Sequence, residues 1–195
     1  AISAILILTM TSILRRIFKM SHTDTLTGAG NSSSYIERIT EIGDKINEGT
    51  AIFSVMVFDV NNLKHVNDTQ DHAAGDHLIR NGYQLLTEEF SRSEIYRIGG
   101  DEFVIIMENK LSDLCGEMIR GFRQRMRDHS ESYRELPGQV VLAAGMASYV
   151  PGTDNSYMDV FQRADEKMYK NKSEFYDHHP EMERRGISPE ETRWY

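Results

Sequence analysis

The run Arg97-Ile98-Gly99-Gly100-Asp101-Glu102-Phe103 constrains the fold more than any other part of the chain. Two glycines interrupt two apolar, β-prone runs, Glu94-Ile95-Tyr96-Arg97-Ile98 and Phe103-Val104-Ile105-Ile106-Met107. The pattern reads as a β-hairpin, because glycine readily adopts the positive φ angles of a tight two-residue turn. Two carboxylates follow the glycines. Acids on a turn whose backbone lets a ligand approach closely suit a metal–phosphate site. Adjacent acids on a turn are also ordinary solvated surface, so the run needs context.

The surrounding chain alternates helical and strand-like segments. Ser32 to Glu48 places Tyr35, Ile36, Ile39, Ile42 and Ile46 at helical spacing, and Gly49 ends it. Ala51 to Val60 is a short, nearly all-apolar run and reads as a buried strand. Asn61 to Asp71 is polar and irregular. Helices are expected over Ala74 to Phe90, Leu111 to Arg127 and Tyr157 to Lys172, and a strand over Gln139 to Ala147. One strand-rich sheet covered by helices is the natural packing for this order, an α+β fold.

Length and charge narrow the functional classes. The 195 residues suffice for one domain with an appendage. A net charge of −8 argues against broad nucleic-acid binding, which needs a basic footprint. It leaves room for a phosphate ligand held by a metal and a few lysines. The lone Cys115 excludes an intramolecular disulfide and fits a reducing compartment. Ala1 to Leu14 is apolar and uncharged, and Arg15-Arg16-Ile17-Phe18-Lys19 follows. The run is shorter than the about 20 residues that cross a bilayer. An apolar run before a basic cluster is nevertheless the pattern of a membrane helix at its cytoplasmic end. Residues 1–22 are therefore read as an apolar helix, the end of a membrane helix or a signalling linker, which would tether a cytoplasmic domain to the inner face of the membrane. An amphipathic or dimerising helix is the alternative. Asp177 to Tyr195 lacks a clear period and reads as a tail, in which Asp177-His178-His179 is more simply solvated than metal-bound.

Candidate chemistry gathers around Asp59. An acid at the end of a buried strand is costly unless a metal, a lysine or backbone N–H groups partner it. If the hairpin lies beside this strand, Asp59 and Asp101 converge at one edge and offer the hard oxygen ligands that Mg²⁺ takes. Asn67 and Asp76 could read a base edge: a carboxylate accepts from the ring N–H and amino group of guanine, and an amide matches its carbonyl and ring nitrogen. An Asn and an Asp are equally at home as turn or cap residues.

Five ordered motifs extend this reading. Gly99-Gly100-Asp101-Glu102-Phe103 is joined by Asp24-Thr25-Leu26-Thr27-Gly28 with Asn31, and by Phe58-Asp59-Val60-Asn61-Asn62-Leu63-Lys64-His65-Val66-Asn67-Asp68. His72 with Gly75-Asp76, and Ala164-Asp165-Glu166-Lys167-Met168-Tyr169-Lys170-Asn171-Lys172, complete the set. In this order, from Asp24 to Lys172, the chain resembles a GGDEF-domain diguanylate cyclase. The resemblance implies a nucleotidyl-cyclase-like domain over residues 23–176, with a central, mostly antiparallel sheet flanked by helices. It implies that two GTP condense into cyclic di-GMP and two pyrophosphates at a homodimer interface, with Mg²⁺ as cofactor and Mn²⁺ as a substitute. Asp59, Asp101 and the Val60 carbonyl would hold metal, and Asp59, Asp101 and Glu102 would form the catalytic group. Asn67 and Asp76 would recognise guanine, Lys64 and Lys172 the triphosphate, and Gly99 and Gly100 would lie against the α-phosphate. An upstream sensor or membrane segment would supply the signal, and no nucleic-acid partner is expected. The alternative is a catalytically silent GGDEF domain acting as a GTP-binding or partner-binding module.

Several positions depart from the family pattern. Asn61 stands where the family has a second Asp, Leu63 where it has Phe, Ala29 where it has Leu, and Ser32 where it has Arg. Asp71 precedes His72 in place of Gly, and Tyr176 occupies the position of a phosphate-touching Arg, for which Arg184 or Arg185 would have to substitute. The stretch Phe90-Ser91-Arg92-Ser93 lacks an Arg-x-x-Asp in register, so product inhibition through that site is not expected.

Overall fold

A computed structural model describes Met10, residues 21–132 and residues 140–179. The apolar helix expected over residues 1–22 lies outside these residues except at Met10, Ser21 and His22, as do Arg184 and Arg185.

β1 (Phe53–Val60) is the axis of the molecule and is buried at every position. It pairs antiparallel with β3 (Glu102–Glu108) on one side and β4 (Leu142–Ser148) on the other, and β2 (Glu94–Arg97) pairs with the outer side of β3. The four-stranded order is β2-β3-β1-β4. The helices are α1 (Ser32–Asn47), α2 (Leu63–Thr69), α3 (His72–Glu89), α4 (Lys110–Ser132) and α5 (Tyr157–His178).

The side-chain alternation of β1 explains its apolar run. Phe53, Val55 and Val57 pack against Ile42 of α1 and Tyr157, Val160, Ala164 and Met168 of α5. Met56, Phe58 and Val60 face the opposite way, toward Leu78, Ile79 and Leu86 of α3 and Cys115, Ile119 and Phe122 of α4. Both faces of the strand are covered, so neither needs polar residues. The expected α+β fold with an antiparallel sheet flanked by helices is what forms.

Three local expectations are corrected. The stretch 61–71 contains the helix α2, which Asn62 introduces from a left-handed conformation at φ 68°. With only Leu63 and Val66 turned inward, it is too short to show a period. α5 runs past Lys172 to His178, with Phe175 buried two turns beyond Met168. The glycine hairpin is not a two-residue turn: Ile98 N–H donates to the Glu102 carbonyl across Gly99-Gly100-Asp101, and neither glycine has a positive φ. The Arg97 guanidinium instead holds the Gly100 carbonyl, through Nη2 at 2.7 Å and Nε at 3.3 Å.

Gly145 of β4 lets α5 lie directly on the sheet. A Cβ there would stand 2.0 Å from the Ala164 carbonyl oxygen and 2.3 Å from the Met168 nitrogen, both backbone atoms that cannot rotate away. Gly145→Ala is expected to lower stability by about 1–3 kcal/mol or more through forced separation of β4 and α5. Urea denaturation measures this, and an unchanged midpoint would contradict the packing.

Candidate functional site

β1 ends at Asp59 and Val60, and the hairpin loop returns beside them. Asp59 stands opposite Glu102 in the β1–β3 register, and Val60 N–H donates to the Asp101 carbonyl at 3.0 Å. The sheet therefore brings Asp59, Asp101 and Glu102 to one edge. α5 supplies the counter-charge: Lys172 Nζ donates to Asp59 Oδ1 at 2.6 Å.

Burial shapes the electrostatics of this edge. Asp59 is 5% exposed. Desolvation pushes its carboxyl up to about 7; Lys172 pulls it down, but Asp101 and Glu102 push it up again. Glu102 is raised first by burial and then by Asp101. Burial opposes the charge on Lys172, yet Asp59 and Asp101 outweigh it and keep the ammonium protonated. Three acids face one lysine, and a divalent cation would relieve the excess. Asp59, Asp101 and the Val60 carbonyl are the hard oxygen donors that such a cation takes. Among the described residues no three His, Cys, Asp or Glu close into a metal cage. Two carboxylates with water and phosphate oxygens are the usual surroundings of Mg²⁺.

The loop is braced from the N-terminal side. Arg97 Nη1 donates to Asp24 at 3.0 and 3.1 Å, and Asp24 also accepts from Thr27 N–H at 2.9 Å and Thr27 Oγ1 at 2.7 Å. Burial would raise the Asp24 carboxyl, and these bonds from Thr27 and Arg97 bring it below its usual value. The same guanidinium grips the Gly100 carbonyl, so the entry loop and the glycine loop are one unit. Gly30 extends the brace, its N–H donating to Ile95 and its carbonyl accepting from Arg97. A Cβ at Gly100 would meet nothing within 4 Å, so the backbone there is open to a ligand; at Gly99 it would meet the Glu102 carboxylate at 2.6 Å.

The second group of candidates sits on α2 and α3. Lys64 is exposed in the first turn of α2, and Asn67 and Asp76 are half-buried. Gly75 makes this arrangement fit, because a Cβ there would fall 2.0 Å from Asn67 Oδ1. Asn67 thus packs against the turn that carries Asp76. Asp76 itself has only a loose neighbour in Arg80 at 3.9 Å. Asn61 and Asn62 are the whole connection between β1 and α2, linking the two groups.

The structural roles of two residues were not foreseen from sequence. Arg97 could have been suspected only as the cation closest to the glycine loop. Tyr176 stands one turn beyond Lys172, and its hydroxyl accepts from Asn62 N–H at 3.1 Å. It ties α5 to the β1–α2 connection by a neutral bond.

The raised carboxyl of Asp59 has a consequence for stability. The native state holds this proton more tightly than the unfolded chain, so the contribution is complete below the ordinary Asp range near about pH 4. It is lost as pH rises through about 7. Metal-free protein is expected to weaken over this window, and Asp59→Asn to weaken less. Thermal denaturation against pH measures the difference, and identical slopes would contradict it.

Comparisons with known proteins bear on this arrangement. Residues 21–177 match the family model of the diguanylate cyclase GGDEF domain. An uncharacterized membrane protein of Staphylococcus saprophyticus is 29% identical over 171 residues, which cover 84% of this chain and 46% of that protein. A counterpart in Staphylococcus aureus is 26% identical over 168 residues, with the same coverage of 84% and 46%. The chain thus spans about half the length of the curated relatives it matches. The coiled coil and GGDEF domain of DgcB from Caulobacter crescentus, solved with c-di-GMP, superposes with a TM-score of 0.69 at 20% identity, covering 88% of this chain and 91% of that one. A microbial GGDEF domain studied with bis-(3′,5′)-cyclic di-GMP gives a TM-score of 0.58 at 25% identity, covering 81% and 94%. The match over residues 21–177, carried by a shared fold, makes this chain a member of the GGDEF domain family.

Proposed function

We propose that the domain is a diguanylate cyclase that condenses two GTP into cyclic di-GMP and two pyrophosphates across a homodimer. The observation that carries this reading is the meeting of Asp59, Asp101, Glu102 and Lys172 at one end of the central strands. Asn67 and Asp76 bind the guanine edge, and the packing of Asn67 on Gly75 orients its amide for that task. Lys64 and Lys172 take phosphate oxygens, with Lys172 transferring its donor from Asp59 as the triphosphate enters. The open backbone at Gly100, next to Gly99, lies along the α-phosphate. Mg²⁺ or Mn²⁺ held by Asp59, Asp101 and the Val60 carbonyl would neutralise phosphate charge and favour ionisation of the attacking 3′-hydroxyl. One domain supplies half of a reaction centre; a second copy presents the other GTP. Positioning and charge stabilisation provide most of the rate in such transfers.

Tyr176 favours a second reading, a catalytically silent GTP-binding or partner-binding module. Its hydroxyl engages Asn62 where a cation would reach phosphate. Among the described residues no helix is long and apolar enough to cross a membrane. The membrane-protein names of the relatives support a tether through residues 1–22, with the signal arriving along it.

Incubation with GTP and Mg²⁺, followed by mass spectrometry, is expected to yield cyclic di-GMP, and Asp101→Ala to reduce its rate by on the order of 100-fold or more. GTP binding without product would favour the silent module, and product surviving in Asp101→Ala would remove the metal assignment. Gly75→Ala displaces the Asn67 amide and is expected to raise KM for GTP roughly 3- to 10-fold with little effect on kcat. An unchanged KM would contradict the guanine assignment.

A further inference from the structure

β4 pairs with β1 on one side, and among the described residues no strand lies on its other side. A strand so placed turns alternate backbone groups away from its partner. Two bonds that flank the β1–β4 ladder set the alternation: Asn61 N–H donates to the Val141 carbonyl, and Tyr149 N–H to the Phe53 carbonyl. Odd-numbered residues of β4 therefore face β1, and Ala144, Met146 and Ser148 direct their N–H and carbonyl groups outward. A row of this kind is a template for one more strand.

Each of these outward carbonyls is taken by a cationic side chain. Lys167 Nζ donates to the Met146 carbonyl at 2.9 Å, and Arg163 Nη2 to the Ser148 carbonyl at 3.0 Å. Arg123 of α4 donates to the Ala144 carbonyl through Nη2 and through Nε at 2.8 Å, and its Nη2 also reaches the Lys167 carbonyl at 3.1 Å. Asn171 Oδ1 accepts the Ala144 N–H at 2.9 Å. On α5, Arg163, Lys167 and Asn171 stand four residues apart, and the residues they hold stand two apart on β4. Four helical residues rise about 6 Å and two strand residues about 6.7 Å. The helix, seated on β4 through Gly145, thus keeps step with the strand over three successive positions. None of these four side chains belongs to the candidate site, although Lys167 and Asn171 lie in the motif that ends at Lys172.

We propose that Arg123, Arg163, Lys167 and Asn171 guard the outer side of β4 against addition of a strand from a second copy of this chain. An incoming strand offers neutral N–H donors, and it would have to displace charge-assisted bonds that are stronger. A second copy is the partner that the geometry selects, because two β4 strands meeting antiparallel about a two-fold axis present the same residues to each other. The guard bears on the proposed reaction, which needs two copies to meet at the Asp59 end of the strands; pairing along β4 would join them elsewhere. The guard itself does not rest on the cyclase reading.

Sedimentation velocity without GTP or divalent cations tests it, so its outcome is separate from that of the cyclase assay. Lys167→Ala uncovers the middle carbonyl and is expected to tighten self-association several-fold over the unsubstituted protein. Lys167→Arg keeps a cationic donor and should leave self-association unchanged. Arg163 also pairs with the buried Asp154 at 2.5 Å, so the two are changed together. The combination Asp154→Asn, Arg163→Met and Lys167→Ala should tighten self-association roughly tenfold or more. Amide hydrogen exchange locates the contact: in these variants protection at Met146 and Ser148 should rise with protein concentration. Lys167 is exposed, so Lys167→Ala decides alone if circular dichroism shows the combination unfolded. Folded variants that associate no more than the unsubstituted protein would overturn the proposal. So would Lys167→Arg associating as strongly as Lys167→Ala, or concentration-dependent protection confined to residues outside β4.

Discussion

The rest of the candidate site depends on the bond between Lys172 and the buried carboxylate of Asp59. A lone carboxylate at the end of a strand covered on both faces would be too costly to ionise. Lys172 makes ionisation tolerable, while Asp101 and Glu102 keep it incomplete. The edge therefore carries an unresolved excess of acid, suited to a ligand that brings positive charge or accepts from the lysine. The same bond fixes α5 against β1, with Gly145 allowing the helix to approach.

Around this bond the fold works as a set of braces. Arg97 joins the Asp24 loop to the Gly100 carbonyl, so the entry loop and the glycine loop are mechanically connected. Tyr176 joins α5 to Asn62, and through it to α2 and Asn67. Each element bearing a candidate ligand is held by a side chain from a different element. Small displacements of α5 would thus reach the acids and, through Asn62, Asn67 together.

Much of this was legible in the residues, for reasons that can be named. The strand at 53–60 announced itself because both its faces are covered, and the pairing with the hairpin followed from two further apolar runs. The ordered motifs from Asp24 to Lys172 singled out Asp59 and Asp101, and the strand register brings them together. The helix α2 was illegible because seven residues with two inward side chains carry no period. The glycine turn misled because its closure comes from Arg97, a side chain outside the turn, and not from positive φ. Tyr176 read as the loss of a cation; its bond to Asn62 joins residues 114 apart in sequence, which no local pattern reveals.

The central claim is that the Asp59–Asp101 edge is where metal and nucleotide meet. Paramagnetic relaxation by Mn²⁺, bound with a non-hydrolysable GTP analogue, tests it most directly. Broadening is predicted for the amides of Asp59, Val60, Asp101 and Glu102, with loss of the effect in Asp101→Ala. Broadening confined to other acidic surfaces, or unchanged in that variant, would contradict the account.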